Sequence, residues 1–123
     1  MVLHISNYDF KEIKKSTKPE KKWMAVFQNN KSGKIKNVHF GATGYLDFIG
    51  YYNKALLVDG MNHEQALKYA TKFKERYLAR HKEREDWTKT GIFNAGFWSK
   101  WILWGADIDI LGNLKHIRTL FNF

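Results

Sequence analysis

Apolar and polar positions are patterned most clearly between Trp23 and Phe40. Trp23-Met24-Ala25-Val26-Phe27-Gln28 is aromatic and β-branched, Asn29-Asn30-Lys31-Ser32-Gly33-Lys34 is turn chemistry, and Ile35-Lys36-Asn37-Val38-His39-Phe40 alternates apolar with polar. This pattern predicts a β-hairpin. Its period of two puts Val38 and Phe40 on one side with Lys36, and Ile35, Asn37 and His39 on the other. The sheet is therefore expected to be covered on one face only. Upstream, Val2, Leu3, Ile5, Tyr8, Phe10 and Ile13 fit either a short strand or an extended arm, and their spacing decides neither. The polar stretch from Ser16 to Lys22, which holds the only proline, Pro19, reads as a loop.

Gly41-Ala42-Thr43-Gly44 closes the second strand. Glycines let backbone amides approach an anion, but this stretch lacks the lysine and Ser/Thr of a nucleotide-binding loop and the third glycine of a dinucleotide fingerprint, so a turn is expected. Tyr45 to Val58 is aromatic and aliphatic, interrupted by Gly50, and predicts a short helix packed on the hairpin, followed by a turn at Asp59-Gly60. The clearest helix begins at Asn62, with Gln65 completing a capping box, and is expected to run to about Glu85. Ala66, Tyr69, Ala70, Phe73 and Tyr77 form its core-facing stripe. At 100° per residue, Arg80, His81 and Arg84 continue that stripe, so an apolar face turns basic.

Those cations either outrun the core or lie against something specific. One reading is an internal cation–π cluster with the segment Asp86 to Trp104, which holds four of the five tryptophans. Another has Arg80, Arg84 and Lys82 clasping phosphates while an exposed tryptophan stacks on bases. A third is a tryptophan-rich protein–protein anchor. The readings part on whether Trp98, Trp101 and Trp104 are exposed. Beyond them, Ile110, Leu114, Ile117 and Phe121 form a last helical stripe, with Asp107 and Asp109 at its positive end. Leu120-Phe121-Asn122-Phe123 is expected to dock on the core, or alternatively to insert into a neighbouring subunit.

Composition narrows the class. The 123 residues are 44% hydrophobic, 16% aromatic and 27% charged, which fits one compact domain and excludes a wholly disordered chain. The organisation expected is a basic arm or edge strand over 1–22, an α+β core over 23–104 and a helical tail over 105–123. The fold class is α+β, with a β-hairpin or small antiparallel sheet packed against two or three helices. No apolar run approaches the roughly 18 residues that cross a bilayer, and Met1 to Ser6 lacks the pattern of a secretory signal.

Charge is concentrated. Of the formal +9 from 21 Lys and Arg against 12 Asp and Glu, nine lysines between Lys11 and Lys36 against Glu12 and Glu20 supply 9 − 2 = +7. Such a region attracts polyanions by counterion release, and lysine brings little bidentate specificity. It is equally what a lysine-rich soluble edge looks like. The candidate contacts for a partner or polyanion are Lys11, Lys14, Lys15, Lys18, Lys21 and Lys22, together with Arg76, Arg80, Arg84, Trp98, Trp101 and Trp104.

Catalytic chemistry finds little support. There is no cysteine, which excludes thiolate metal sites, clusters and thiol nucleophiles. His4, His39, His63, His81 and His116 are scattered, so no metal site is expected. Ser6, Ser16, Ser32 and Ser99 lack a nucleophile elbow. Asp107 and Asp109 read as a helix cap, and Glu83, Glu85 and Asp86 as a solvated helix face, with Glu75, Arg76, Glu83 and Arg84 pairing at the surface. The expectation is a protein that is not an enzyme and holds no cofactor.

Three strings carry a resemblance: Arg76-Tyr77-Leu78-Ala79-Arg80-His81-Lys82-Glu83-Arg84-Glu85-Asp86-Trp87, Ala95-Gly96-Phe97-Trp98-Ser99-Lys100-Trp101-Ile102-Leu103-Trp104, and Phe40-Gly41-Ala42-Thr43-Gly44-Tyr45-Leu46-Asp47-Phe48. Over about Trp23 to Trp104 the chain resembles small, basic, functionally uncharacterised proteins of nucleocytoplasmic large DNA viruses. It departs from them in a longer Ile49 to Met61 segment and in lacking a proline after the last tryptophan. The resemblance implies a viral origin and a non-enzymatic role, with no catalytic residues to carry over. The function expected is a structural component of a large DNA virus particle, a minor capsid or internal virion protein bridging larger subunits. Its partners would be other virion or capsid proteins, and its location the virion, with host cytoplasm or nucleus during assembly. The alternative is a sequence-nonspecific nucleic-acid-binding protein.

Overall fold

A computed structural model describes residues 5–123; the expectations resting on Val2, Leu3, His4 and the chain start lie outside these. Three antiparallel strands, β1 (Tyr8–Lys15), β2 (Lys21–Asn29) and β3 (Ile35–Ala42), form one sheet in the order β1-β2-β3. Four α-helices follow: α1 (Phe48–Leu57), α2 (His63–His81), the one-turn α3 (Ala95–Trp98) and α4 (Ile110–Phe121). α3 runs directly into a π-helical turn, Ser99–Leu103, and single 3₁₀ turns lie at Ile5–Asn7 and Lys89–Gly91. The fold is α+β: a small antiparallel sheet with helices, as the pattern predicted.

The hairpin forms where turn chemistry dictates. Asn29 accepts at Oδ1 from the amides of Lys31 and Ser32, and Gly33 takes φ +76°, closing the reversal through its amide to the Asn29 carbonyl oxygen at 2.8 Å. β1 is an edge strand, and a bulge explains why its spacing resisted a sequence reading. Phe10 pairs with Phe27 but Glu12 pairs with Val26, so Lys11 is an extra residue. Tyr8, Phe10 and Ile13 can then all pack on the core although their spacing breaks a period of two.

One face of the sheet, carrying Ala25, Phe27, Val38 and Phe40, meets the helices. On the other, Met24 and Val26 are also buried. Met24 lies between Lys14 and His39 in register, and Val26 between Glu12 and Asn37, so polar neighbours flank both.

α1 starts at Asp47, whose carboxylate accepts from the Gly50 amide at 2.8 Å, and α2 at Asn62, which forms the predicted capping box with Gln65. The two helices approach closely through the fully buried Ala55, Ala66 and Ala70. α2 ends at His81, short of the expected Glu85. The chain turns there because the Glu85 carboxylate folds back to His81 Nδ1 (2.9 Å) and accepts from Trp87 Nε1 (3.0 Å).

Trp98 is the centre of the core. It is fully buried among Phe10, Phe27, Phe40, Phe97 and Phe123, with ring centroids 5.0–6.3 Å away. Residues of the expected arm and tail thus join the same core as the middle of the chain, and Phe121 and Phe123 pack on that core. α4 is locked by Asn113, also fully buried. Its Nδ2 donates to the carbonyls of Ile102 and Asp107, both at 2.9 Å, and its Oδ1 accepts from the Asp107 amide.

Candidate functional site: a basic edge and an aromatic cleft

The twelve residues singled out by sequence divide into three groups. Lys11, Lys14, Lys15 and Lys18 are exposed along β1 and the loop after it, and among the described residues none of the four has an ion-pair partner. β1 has β2 on one side only. The result is a strand edge flanked by four free ammonium groups.

Lys21 and Lys22 line a cleft of about 640 Å³, and both also border the groove that Lys15 and Lys18 line. Lys22 Nζ donates to Asp47 Oδ2 at 3.1 Å and to the Tyr45 carbonyl oxygen, which ties the start of β2 to the loop before α1. The opposite wall is α2, presenting Phe73, Arg76, Tyr77, Arg80 and His81, and the floor comes from Ser99, Leu103 and Trp104. The π turn shapes that floor. Its i to i+5 bond from the Trp104 amide to the Ser99 carbonyl (3.0 Å) widens the last turn, leaving Trp98 in the core and Trp104 against the cleft.

Two stacked pairs line the cleft. Tyr51 stacks on Phe73 at 3.9 Å and 5°, and Tyr77 on Trp104 at 4.5 Å and 8°, with His81 stacked on Tyr77 at 4.1 Å. Burial, and secondarily the charge of Glu85, pushes the Tyr77 phenol up to about 12. Gly41, with φ +80°, belongs here for steric reasons: a Cβ on it would stand 2.8 Å from Leu103 Cδ1 and narrow the junction of β3 with the floor.

The third group is internal. Trp98 is inaccessible, Trp104 is 8% exposed, and Trp101 is half-buried with its indole N–H on the Trp87 carbonyl (2.9 Å). The cation on these rings is not the expected arginine. Lys100 Nζ lies 3.5 Å from the Trp101 ring centre and 5.6 Å from that of Trp87, while Arg76 sits over Phe73. Burial, with the neighbouring charge of Lys74, lowers the Lys100 pKa.

Arg80 is exposed at the cleft rim. Arg84 is exposed outside the cleft, because the end of α2 at His81 takes it off the stripe it was expected to continue. The surface pairing expected of Glu75, Arg76, Glu83 and Arg84 is absent among the described residues, and Glu85 belongs to a half-buried turn rather than a solvated helix face.

Sequence reasoning missed two residues of this site and one outside it. Asp47 had a readable signal, an aspartate three positions before Gly50 at the head of an apolar run. Tyr45 was placed inside a helix but is 74% exposed in the loop before it. Lys74, which donates to the Gly105 carbonyl at 2.8 Å over the Phe48 ring, and whose pKa burial lowers, had no local signal.

Among the described residues no group of three or more His, Asp or Glu is placed to hold a metal, and no helix is long and apolar enough to cross a membrane. Residues 11–55, just over a third of the chain, match a family of unknown function, DUF5754. The match runs from Lys11 within β1 to Ala55 near the end of α1, including the lysine edge, Tyr45 and Asp47, and stops short of α2 and the tryptophan segment. No curated protein and no solved structure matches the chain.

Proposed function

We propose that this protein is a non-enzymatic structural component of a large DNA virus particle, a minor capsid or internal virion protein that bridges larger subunits. It docks on acidic neighbours through the Lys11, Lys14, Lys15 and Lys18 edge, in the virion and, during assembly, in the host cytoplasm or nucleus. The observation that carries this reading is the separation of the two residue types: most of the large aromatics are spent on the core, while among the described residues the lysines of β1 face solvent without an ion-pair partner. The viral setting is supported by the sequence resemblance alone. A rigid core with an unpaired cationic rim suits a protein that fills a gap between larger partners, where rim charges steer association.

The same free ammonium groups favour a second reading, sequence-nonspecific binding of nucleic acid. A titration with duplex and single-stranded DNA across a salt series, following tryptophan fluorescence, separates the two. The structural role predicts weak binding without quenching. Nucleic-acid binding predicts tight association, with a log–log salt slope on duplex DNA of about 0.9 in magnitude for each phosphate the protein neutralises. In that case changing Lys11, Lys14, Lys15 and Lys18 together to Gln flattens the slope.

A further inference from the structure

We infer that the cleft between β2, the loop before α1 and α2 binds a nucleotide, either free or as one unit of a single strand. Its phosphate would lie among Lys21, Arg76 and Arg80 and its base against Tyr45. This site adjoins the groove lined by Lys15 and Lys18, sharing Lys21 with it, and does not depend on the virion reading.

The fold leaves charge over in this cleft. Lys21, Lys22, Arg76 and Arg80 line the cleft against Asp47 and Glu85, a balance of 4 − 2 = +2. Both carboxylates are already engaged, Asp47 with Lys22 and Glu85 with His81 and Trp87. Among the described residues Lys21, Arg76 and Arg80 have no acidic partner. Three unpaired cations converging from a strand and a helix on one concavity attract an anion, and apolar walls focus that field. Two of the three are arginines, whose planar fork matches phosphate oxygens.

The fold also leaves one aromatic ring unused. Tyr45 is 74% exposed and has no ring partner among the described residues. Its backbone is nonetheless pinned at the mouth of the cleft by Lys22. An ordered, exposed aromatic beside unpaired cations is the pairing that recognises a base and its phosphate together. A bare anion would leave the ring idle, and an apolar ligand would leave the cations idle. The volume, about 640 Å³, lies within the roughly 300–1,000 Å³ of small-molecule sites.

The test is calorimetric titration of the full chain with AMP, ribose 5-phosphate, adenosine and a single-stranded oligo(dA). AMP is expected to saturate at least tenfold more tightly than ribose 5-phosphate or adenosine. Arg80→Gln and Tyr45→Ala should each weaken it about tenfold, while Lys115→Gln, exposed on α4 and outside the cleft, leaves it unaltered. Saturation by oligo(dA) alone, weakened by the same two variants, assigns the site to a nucleotide within a strand. Both side chains are exposed, so the variants should keep the wild-type thermal transition. Three results would overturn the inference: no saturation by AMP or oligo(dA), equal binding of AMP and ribose 5-phosphate, or affinity indifferent to Arg80→Gln and Tyr45→Ala in folded protein.

Discussion

Trp98 donates its indole N–H to the carbonyl oxygen of Ile92 at 2.7 Å, and both residues are buried, at 0% and 1% exposure. The bond ties the one-turn α3 to the loop before it at the centre of the aromatic core. It assigns Trp98 to the fold, and no ligand can reach it without unfolding.

The first prediction follows from that bond. Trp98→Phe keeps a ring but leaves the Ile92 carbonyl buried and unpaired, at a cost of roughly 1–3 kcal/mol. Trp98→Ala opens a cavity as well and costs roughly 3–5 kcal/mol. Urea denaturation should rank wild type above Trp98→Phe above Trp98→Ala, and equal midpoints for all three would refute the placement.

Asn113 is the polar counterpart. Replacing it with Ala strands the Ile102 and Asp107 carbonyls and the Asp107 amide, each costing roughly 1–3 kcal/mol if it stays buried without a partner. A loss of at least about 2 kcal/mol is expected in chemical denaturation. Asn113→Leu, which keeps the branched heavy-atom skeleton, should not restore it.

Tyr77 gives an alkaline signature. Its folded pKa is raised above that of the unfolded chain. The stability this neutral phenol contributes is therefore complete below pH about 10, the free tyrosine value, and is lost as pH rises towards about 12. Tyrosinate absorbance in native protein should show a late-titrating phenol that disappears in Tyr77→Phe. A late step that survives in Tyr77→Phe would contradict the burial of that ring.

Two glycines should differ in a predictable order. A Cβ on Gly91 would run into the backbone oxygen of Asp86, whereas one on Gly96 would meet the Glu85 carboxyl carbon at 2.5 Å, the far end of a flexible side chain. Overpacking of this kind typically costs about 1–3 kcal/mol. Gly91→Ala should fall at the upper end, because backbone cannot swing aside. Gly96→Ala should cost less, releasing Glu85 from His81 and Trp87. The reverse order in thermal denaturation would show that the turn after α2 is held differently.

What could be read from the sequence was what is decided locally. The Asn29–Lys34 reversal, the Asn62–Gln65 capping box and the alternation around Val38 and Phe40 each depend on residues a few positions apart, and all three stand in the structure. What escaped is set across the chain. The Lys11 bulge hides the strand period of β1, and α2 stops at His81 because Glu85 turns to meet Trp87. The cation on Trp101 is its neighbour Lys100, which helical-stripe reasoning about Arg80 and Arg84 could not anticipate. The cleft itself depends on Lys22 reaching Asp47 across 25 residues, so its residues were named while its shape was not.

The most direct test of the account is lysine-directed cross-linking of intact, purified virus particles, read by mass spectrometry. The expected result is that this chain is present in the particles and that Lys11, Lys14, Lys15 and Lys18 cross-link to an acidic stretch of a larger virion protein. Particles that lack the chain, or that contain it with those four lysines free of any cross-link to a neighbour, would contradict it.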